Sequence, residues 1–252
     1  MTNTMKYGSK ILSALSMLIL VTSGDLRGQS FQLEPHQQLA RDILQEIIEI
    51  NTVDSAGTTE AARALERRLL AAGFSDEDVH VIGPTEKKMN LVARLRGRDT
   101  GRPAILLLAH LDVVEALRTD WNMDPWTLIE QDNHFYGRGV TDDKDEAAIY
   151  TANLIRYKQE GFVPDRDIIV ALTADEEGGE YNGVQWLLEN HRELIDAEYA
   201  LNEGGGGEIK DGEHRLNAVQ ASEKVYQNFN LKALNPGGHS SLPRDDNAIY
   251  DL

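Results

Sequence analysis

From Leu33 onward, apolar residues recur at spacings that separate helices from strands. In "HQQLARDILQEIIEINTV" the positions Leu39, Ile43, Ile47 and Ile48 fall on one face of a helix. "TTEAARALERRLLAAGF" predicts a second amphipathic helix, with Thr59 as its N-cap and Gly73 closing it. "DVHVIG" and "MNLVARLRG" read as strands, the latter alternating Leu91, Ala93 and Leu95. "AILLLAH" is a continuous apolar run, as expected of a central strand covered on both faces. "DEAAIYTANLIRYKQEG" predicts a helix ended by Gly161, "DIIVALTAD" another buried strand, "GVQWLLENHREL" another helix, and "AEYALNEGGGG" a third apolar run. Helices alternating with short buried strands predict an α/β layered domain.

Two stretches break this pattern. After "EIKDGEH" comes "VYQNFNLKAL", where Val225, Gln227, Phe229 and Leu231 alternate as in an antiparallel strand with one wet face. A boundary is therefore expected near residue 217, with 218–252 opening a second, α+β module. "DNAIYDL" reads as a helix start with Asp246 or Asn247 as cap. About thirty-five residues are too few for a core of their own, so this module is expected to be incomplete or completed by a partner. At the other end, residues 1–30 run from Lys6 and Lys10 through "ILSALSMLILVTSG" to polar "DLRGQS". That order predicts a secretory signal and an exported, periplasmic or extracellular protein, with a membrane anchor as the alternative. The catalytic portion then spans 31–217.

Composition narrows the partners. The 252 residues are 41% hydrophobic and 27% charged, as in an ordinary globular protein. Asp plus Glu number 42 against 25 Lys plus Arg, a net charge of -17, which argues against a nucleic-acid or anionic-membrane partner. There is no cysteine, so neither a thiol nucleophile nor a disulfide framework is available. No Gly-x-Ser-x-Gly elbow occurs, and no Lys-Ser/Thr follows "GGGG" as a phosphate loop would require.

The surplus of acid concentrates where strands end. "AILLLAHLD" delivers His110 and Asp112, "IIVALTADEE" delivers Asp175, Glu176 and Glu177, and "YALNEGG" delivers Asn202 and Glu203. "YGRGVTDDKD" sets Asp142, Asp143 and Asp145 in the turn before a helix, where simple capping would be the plainer explanation. In open α/β sheets, ligands bind beyond the carboxyl ends of strands. A pocket this acidic is tolerable around a strong cation, and one imidazole with several carboxylates suits zinc, with manganese or cobalt as alternatives.

Taken together, "AHLDVV", "GRGVTDDKD", "TADEEGG", "NEGG" and "GGHSSLP" resemble the zinc-dependent peptidase and deacylase family of glutamate carboxypeptidase, aminoacylase and succinyl-diaminopimelate desuccinylase. The resemblance covers the chain from about residue 35 onward. It implies an α/β fold with a zinc-peptidase-like mixed sheet flanked by helices, carrying the start of an inserted α+β lid and dimerisation domain. It also implies two metal ions: His110, Asp142 and Glu203 hold one, while Asp142 bridges to a second that Glu177 also holds. Glu176 would serve as general base, Asp112 would fix the His110 tautomer, and His239 in the lid would stabilise an oxyanion, often from across a dimer. The substrate implied is a small peptide, cleaved carboxypeptidase- or dipeptidase-fashion. An N-acyl amino acid, hydrolysed by an amidohydrolase, is the alternative, and a non-catalytic exported domain of the same fold is the rival from another class.

Two departures qualify the expectation. Asp145 stands where the family usually has glycine or a small residue, adding negative charge beside the site. The family's second ion also takes a histidine from beyond the lid, so this chain is expected to be weakly active or inactive by itself. "DWNMDPW", with Trp121 and Trp126, resembles the loop lining the family's cleft, or is a surface turn with packed tryptophans. His36, His80, His134, His191 and His214 occur singly and are expected at the surface.

Overall fold

The computed structural model describes residues 33–99, 101–219, 222, 225, 227–239, 241, 242, 245, 248 and 250. The signal expected over 1–30 and the caps expected at Asp246 and Asn247 lie outside them.

Two helices open the fold, α1 (Pro35–Glu49) and α2 (Thr59–Ala71). Pro35 suits the first helical position, where its missing N–H costs nothing. Glu34 and Gln37 exchange capping hydrogen bonds. Thr59 is not the cap of α2. The N-cap position is Thr58, and both hydroxyls donate elsewhere, Thr58 to the Met89 carbonyl (2.7 Å) and Thr59 to that of Glu86 (2.8 Å). The threonines tie α2 to the chain before β2 rather than satisfying its own N–H groups.

Strands β1 (Val79–Ile82), β2 (Asn90–Leu95), β3 (Ala104–His110), β6 (Ile168–Thr173) and β7 (Ala197–Leu201) form one mixed sheet in the order β1-β2-β6-β3-β7. β1 and β2 run antiparallel to their neighbours, whereas β3, β6 and β7 are mutually parallel. Helix α3 (Lys144–Glu160) makes the crossover between β3 and β6, and Gly161 ends it with φ 67, a left-handed conformation glycine takes without strain. The α/β class is the one that the apolar runs predicted, and the mixed sheet flanked by helices is the one that the resemblance implied.

One face of the sheet packs Leu91, Ala93, Val170 and Leu172 against α1, α2 and α3. Val92, Leu106, Ile169 and Ala171 on the other face pack with Leu187 and Ile195. Both faces being covered explains why β2 is buried almost throughout instead of alternating. Burial of Ile43 and Ile47 contributes roughly 1.5–3 kcal/mol each.

Three differences from the sequence expectation have local causes. The helix expected over "GVQWLLENHREL" breaks at His191 into α4 (Gly183–Asn190) and α5 (Arg192–Ile195). Two hairpins were not anticipated, β4 (Ile129–Gln131) with β5 (His134–Tyr136) and β8 (Gly206–Lys210) with β9 (Glu213–Ala218). Their turns, Asp132-Asn133 and Asp211-Gly212, have positive φ at both positions, the geometry that matches strand twist. Third, the alternating segment around Phe229 is not a strand. Residues 227–239 carry no regular element, and Val225, Phe229 and Leu231 are exposed. Alternation specifies a strand only when a neighbouring strand and a core receive it.

Lys144 is fully buried at the start of α3. Its ammonium donates to the carbonyls of Ile47 (2.7 Å) and Ile50 (2.9 Å), where α1 ends. Lys144→Ala should destabilise the chain by about 2–5 kcal/mol, since it leaves a cavity and two unpaired carbonyls. Urea unfolding checks this; a loss well under 1 kcal/mol would show that α1 does not depend on it.

Candidate metal centre

In the parallel register His110 pairs with Thr173, so β3 and β6 end side by side, with β7 ending on the far side of β3. The residues just past these three strands therefore leave the sheet at one edge, and the turn before α3 adds Asp142 and Asp143.

His110 is buried at the centre. Its Nδ1 lies 3.0 Å from the Asp112 backbone carbonyl, which can only accept, so Nδ1 carries a proton. The partner expected from the sequence was the Asp112 carboxylate, but that group stands 3.7 Å away. Asp112 instead accepts the Glu177 N–H at Oδ2 (3.0 Å), while its Oδ1 is buried without a hydrogen-bond partner. The residue thus fixes the His110 ring through its backbone and the Glu177 loop through its side chain.

Carboxylates crowd the other ring nitrogen. From Nε2, Asp142 Oδ1 is 2.9 Å away, Glu203 Oε1 3.7 Å and Glu176 Oε2 3.8 Å. Two sets of donor atoms lie close enough to share an ion: His110, Asp142 and Glu177, and His110, Asp143 and Glu203. Asp143 was noted in the sequence but given no ligand role. It is buried, and its Oδ2 accepts the His110 backbone N–H (3.1 Å).

The electrostatics arise from this crowding. Burial pushes the Asp143 carboxyl up to about 7, helped by the Glu146 and Glu203 charges and opposed by the hydrogen bond from His110. Burial also raises Asp112, Asp145, Glu177 and Glu203 from their ordinary values, with the Asp142 charge adding to the last three. For His110, burial works against the imidazolium, but the Asp112, Asp143 and Glu176 charges outweigh it and raise the pKa. The Asp145 Oδ1 atom is buried without a hydrogen-bond partner, and the Glu146 and Asp142 charges add to the burial that raises this carboxyl.

These shifts make stability depend on pH. Asp143, raised to about 7, holds a proton that the unfolded chain has lost, so stability falls as pH rises from about 4 to about 7, and the raised His110 adds a further fall only above about 6.5. Lys144, lowered to about 7 by burial, acts oppositely above neutrality, where the unfolded chain binds the extra proton. The chelator-treated chain should therefore be less stable at pH 7.5 than at pH 5, on the order of 1–3 kcal/mol. Added zinc should recover the difference at pH 7.5. Equal denaturation midpoints at the two pH values would contradict the raised carboxyls.

Other predicted residues fall outside the cluster. Asp175 is turned away into an ion pair with Lys88 (2.5 Å). Asn202 is exposed. His239 is exposed, and its ring bonds locally, accepting from the Ser241 N–H (3.2 Å) and pairing with the Ser241 hydroxyl (2.7 Å). Trp121, beneath the Arg138 guanidinium, lines a cavity of about 240 Å³ together with Phe135, Tyr136 and Asp142. The tryptophan loop therefore borders the centre.

Comparison with known proteins shows which family the chain resembles. Residues 106–242, more than half of the chain, match the profile of "Peptidase family M20/M25/M40". The chain is 29% identical to an N-fatty-acyl-amino acid synthase/hydrolase of Bos taurus, over 95% of this chain and 52% of that protein. It is 30% identical to a succinyl-diaminopimelate desuccinylase of Delftia acidovorans, over 76% of this chain and 52% of that protein. The chain thus spans about half the length of these relatives. A metallo-carboxypeptidase of Sulfolobus solfataricus superposes with a TM-score of 0.55 at 18% identity, over 66% of this chain and 37% of that one, a likeness of fold.

Proposed function

Because the chain belongs to peptidase family M20/M25/M40, we propose that it hydrolyses a peptide or amide bond in a small substrate with the help of bound metal. The observation that carries this is the His110 ring. With Nδ1 committed to the Asp112 carbonyl, Nε2 offers a lone pair to a space ringed by Asp142, Glu176 and Glu203. Facing carboxylates, Nε2 needs either a proton, donated to Asp142 Oδ1 at 2.9 Å, or a cation, and three acids around one nitrogen are a donor set that fits a metal. One imidazole with carboxylates suits zinc, with manganese or cobalt as substitutes.

In this reading His110, Asp142 and Glu203 would hold one ion, and Asp142 and Glu177 a second. Such a pair, when bound, supplies a Lewis acid and a water of lowered pKa. Glu176 would accept the proton of the attacking water and return it to the leaving amine, since its carboxylate borders the centre without belonging to either close donor set. Asp112 holds the His110 ring and the Glu177 amide in place. His239, brought over the site by movement of its segment or by a second copy of the chain, would donate to the oxyanion. Residues 218–252 would begin the lid and dimerisation module, and residues 1–30 would direct export. Among the described residues the second ion would take its carboxylates from Asp142, shared with the first ion, and from Glu177.

Two substrate classes fit the centre, free peptides and N-acyl amino acids. The cavity beside Asp142, lined by aromatic rings together with Arg138 and Thr141, would receive a side chain or acyl group in either case. A panel of dipeptides, N-acetyl and N-succinyl amino acids, with and without chelator, tests the reading. Zinc-restored hydrolysis of one class is expected. Hydrolysis that survives complete chelation, or none of any substrate at high enzyme concentration, would contradict it.

A further inference from the structure

Lys88 and Asp175 form a buried ion pair in which neither group belongs to the donor sets around His110. The Lys88 ammonium donates to Asp175 Oδ1 (2.5 Å), to Asp54 Oδ1 (2.6 Å) and to the Asp54 carbonyl (2.9 Å). The Asp175 side chain is 1% exposed, and that residue immediately precedes Glu176 and Glu177. We propose that Lys88 is the positioning residue of the centre: by holding Asp175 and Asp54 together, it sets where Glu176 and Glu177 stand relative to His110. This rests on the reading of those residues as one metal centre.

The loop after β6 is folded around the Asp175 carboxylate. Oδ1 takes the ammonium, and Oδ2 accepts the Tyr181 N–H (3.2 Å). The Asp175 carbonyl accepts from Asn182 Nδ2 (3.4 Å). Asp175 itself has φ 55, and Gly179 crosses so close that a Cβ there would meet Asp175 Oδ2 at 2.3 Å. A left-handed, non-glycine residue persists where its surroundings over-determine it, and here they converge on one carboxylate.

The second arm reaches the histidine. Asp54 lies two residues beyond Thr52, whose hydroxyl donates to the Leu111 carbonyl (2.7 Å) and whose own carbonyl accepts from Val113 N–H (3.3 Å). The segment carrying Asp54 therefore braces the chain just after His110. Lys88 joins that brace to the glutamate loop, and the Glu177 N–H to Asp112 Oδ2 contact closes the frame. Removing the ammonium would leave a buried carboxylate uncompensated, and the loop would have to open to hydrate it.

The test uses K88M and D175N, the latter keeping the side chain's size should the former fail to fold. Amide exchange is read on the metal-free chain and zinc affinity by titration. Exchange at the Glu177 amide should quicken about tenfold or more, with α1 and α3 unchanged. Zinc should bind about 10- to 100-fold more weakly, as when a group supporting a ligand is lost. Unchanged Glu177 exchange in the folded variants overturns the proposal. So does acceleration spread evenly over the core, which would mark Lys88 as a general stabiliser. If the unmutated chain binds no zinc, the metal-centre reading fails, and Glu177 exchange alone still decides the role of Lys88.

Discussion

Glu176→Gln is expected to lower hydrolysis by about 10²- to 10⁴-fold, the usual contribution of a general base, while leaving bound zinc unchanged. The amide keeps the size of the carboxylate but cannot take a proton. Glu176 Oε2 stands 3.8 Å from His110 Nε2, near enough to face whatever that nitrogen holds, and the side chain is about half exposed. Its neighbour Glu177 lies in the close donor set with His110 and Asp142, so Glu177→Gln should weaken zinc as well as turnover. Steady-state kinetics with metal analysis separates the two. Retained turnover in the Glu176 variant would remove it from the chemistry. Unchanged affinity of that variant for an unhydrolysed ligand, with no turnover in either protein, would favour the binding-domain alternative.

Asp142→Asn should have the larger effect on metal, weakening zinc by more than about 100-fold, beyond what loss of an outer support produces. The Asp142 carboxylate is the nearest acid to His110 Nε2, at 2.9 Å, and in the proposed arrangement it is shared between both ions. Asp143→Asn is the informative companion. Asp143 is already engaged by the His110 backbone N–H, and burial holds its carboxyl near neutrality. Its loss should therefore alter the pH dependence of stability more than zinc affinity. The reverse outcome, zinc lost with Asp143 and kept with Asp142, would assign the first ion to His110, Asp143 and Glu203 instead.

The apolar runs made the sheet and its flanking helices legible, because β2, β3 and β6 are covered on both faces and helices α1 to α3 each keep one apolar side. The strand-end acids were legible for the same reason: parallel strands deliver their trailing loops to one edge. The two hairpins also have local turn signals, Asp132-Asn133 and Asp211-Gly212, but strands of three to six residues beside them carry too little apolar pattern to stand out. Other features had no local signal. That His110 uses the Asp112 backbone rather than its carboxylate depends on a turn of two residues. Lys88 meets Asp175 across 87 positions, and nothing in "EKKMN" distinguishes it from a solvated lysine. The strand expected around Phe229 failed in the opposite sense, since its pattern was clear but no neighbour receives it.

The central claim is that the His110 cluster holds metal, and elemental analysis of the purified chain beside its His110→Ala variant tests it most directly. At least one zinc per chain, retained through dialysis and lost in the variant, is the predicted result. Zinc at background in both proteins, or equal zinc in both, would contradict it.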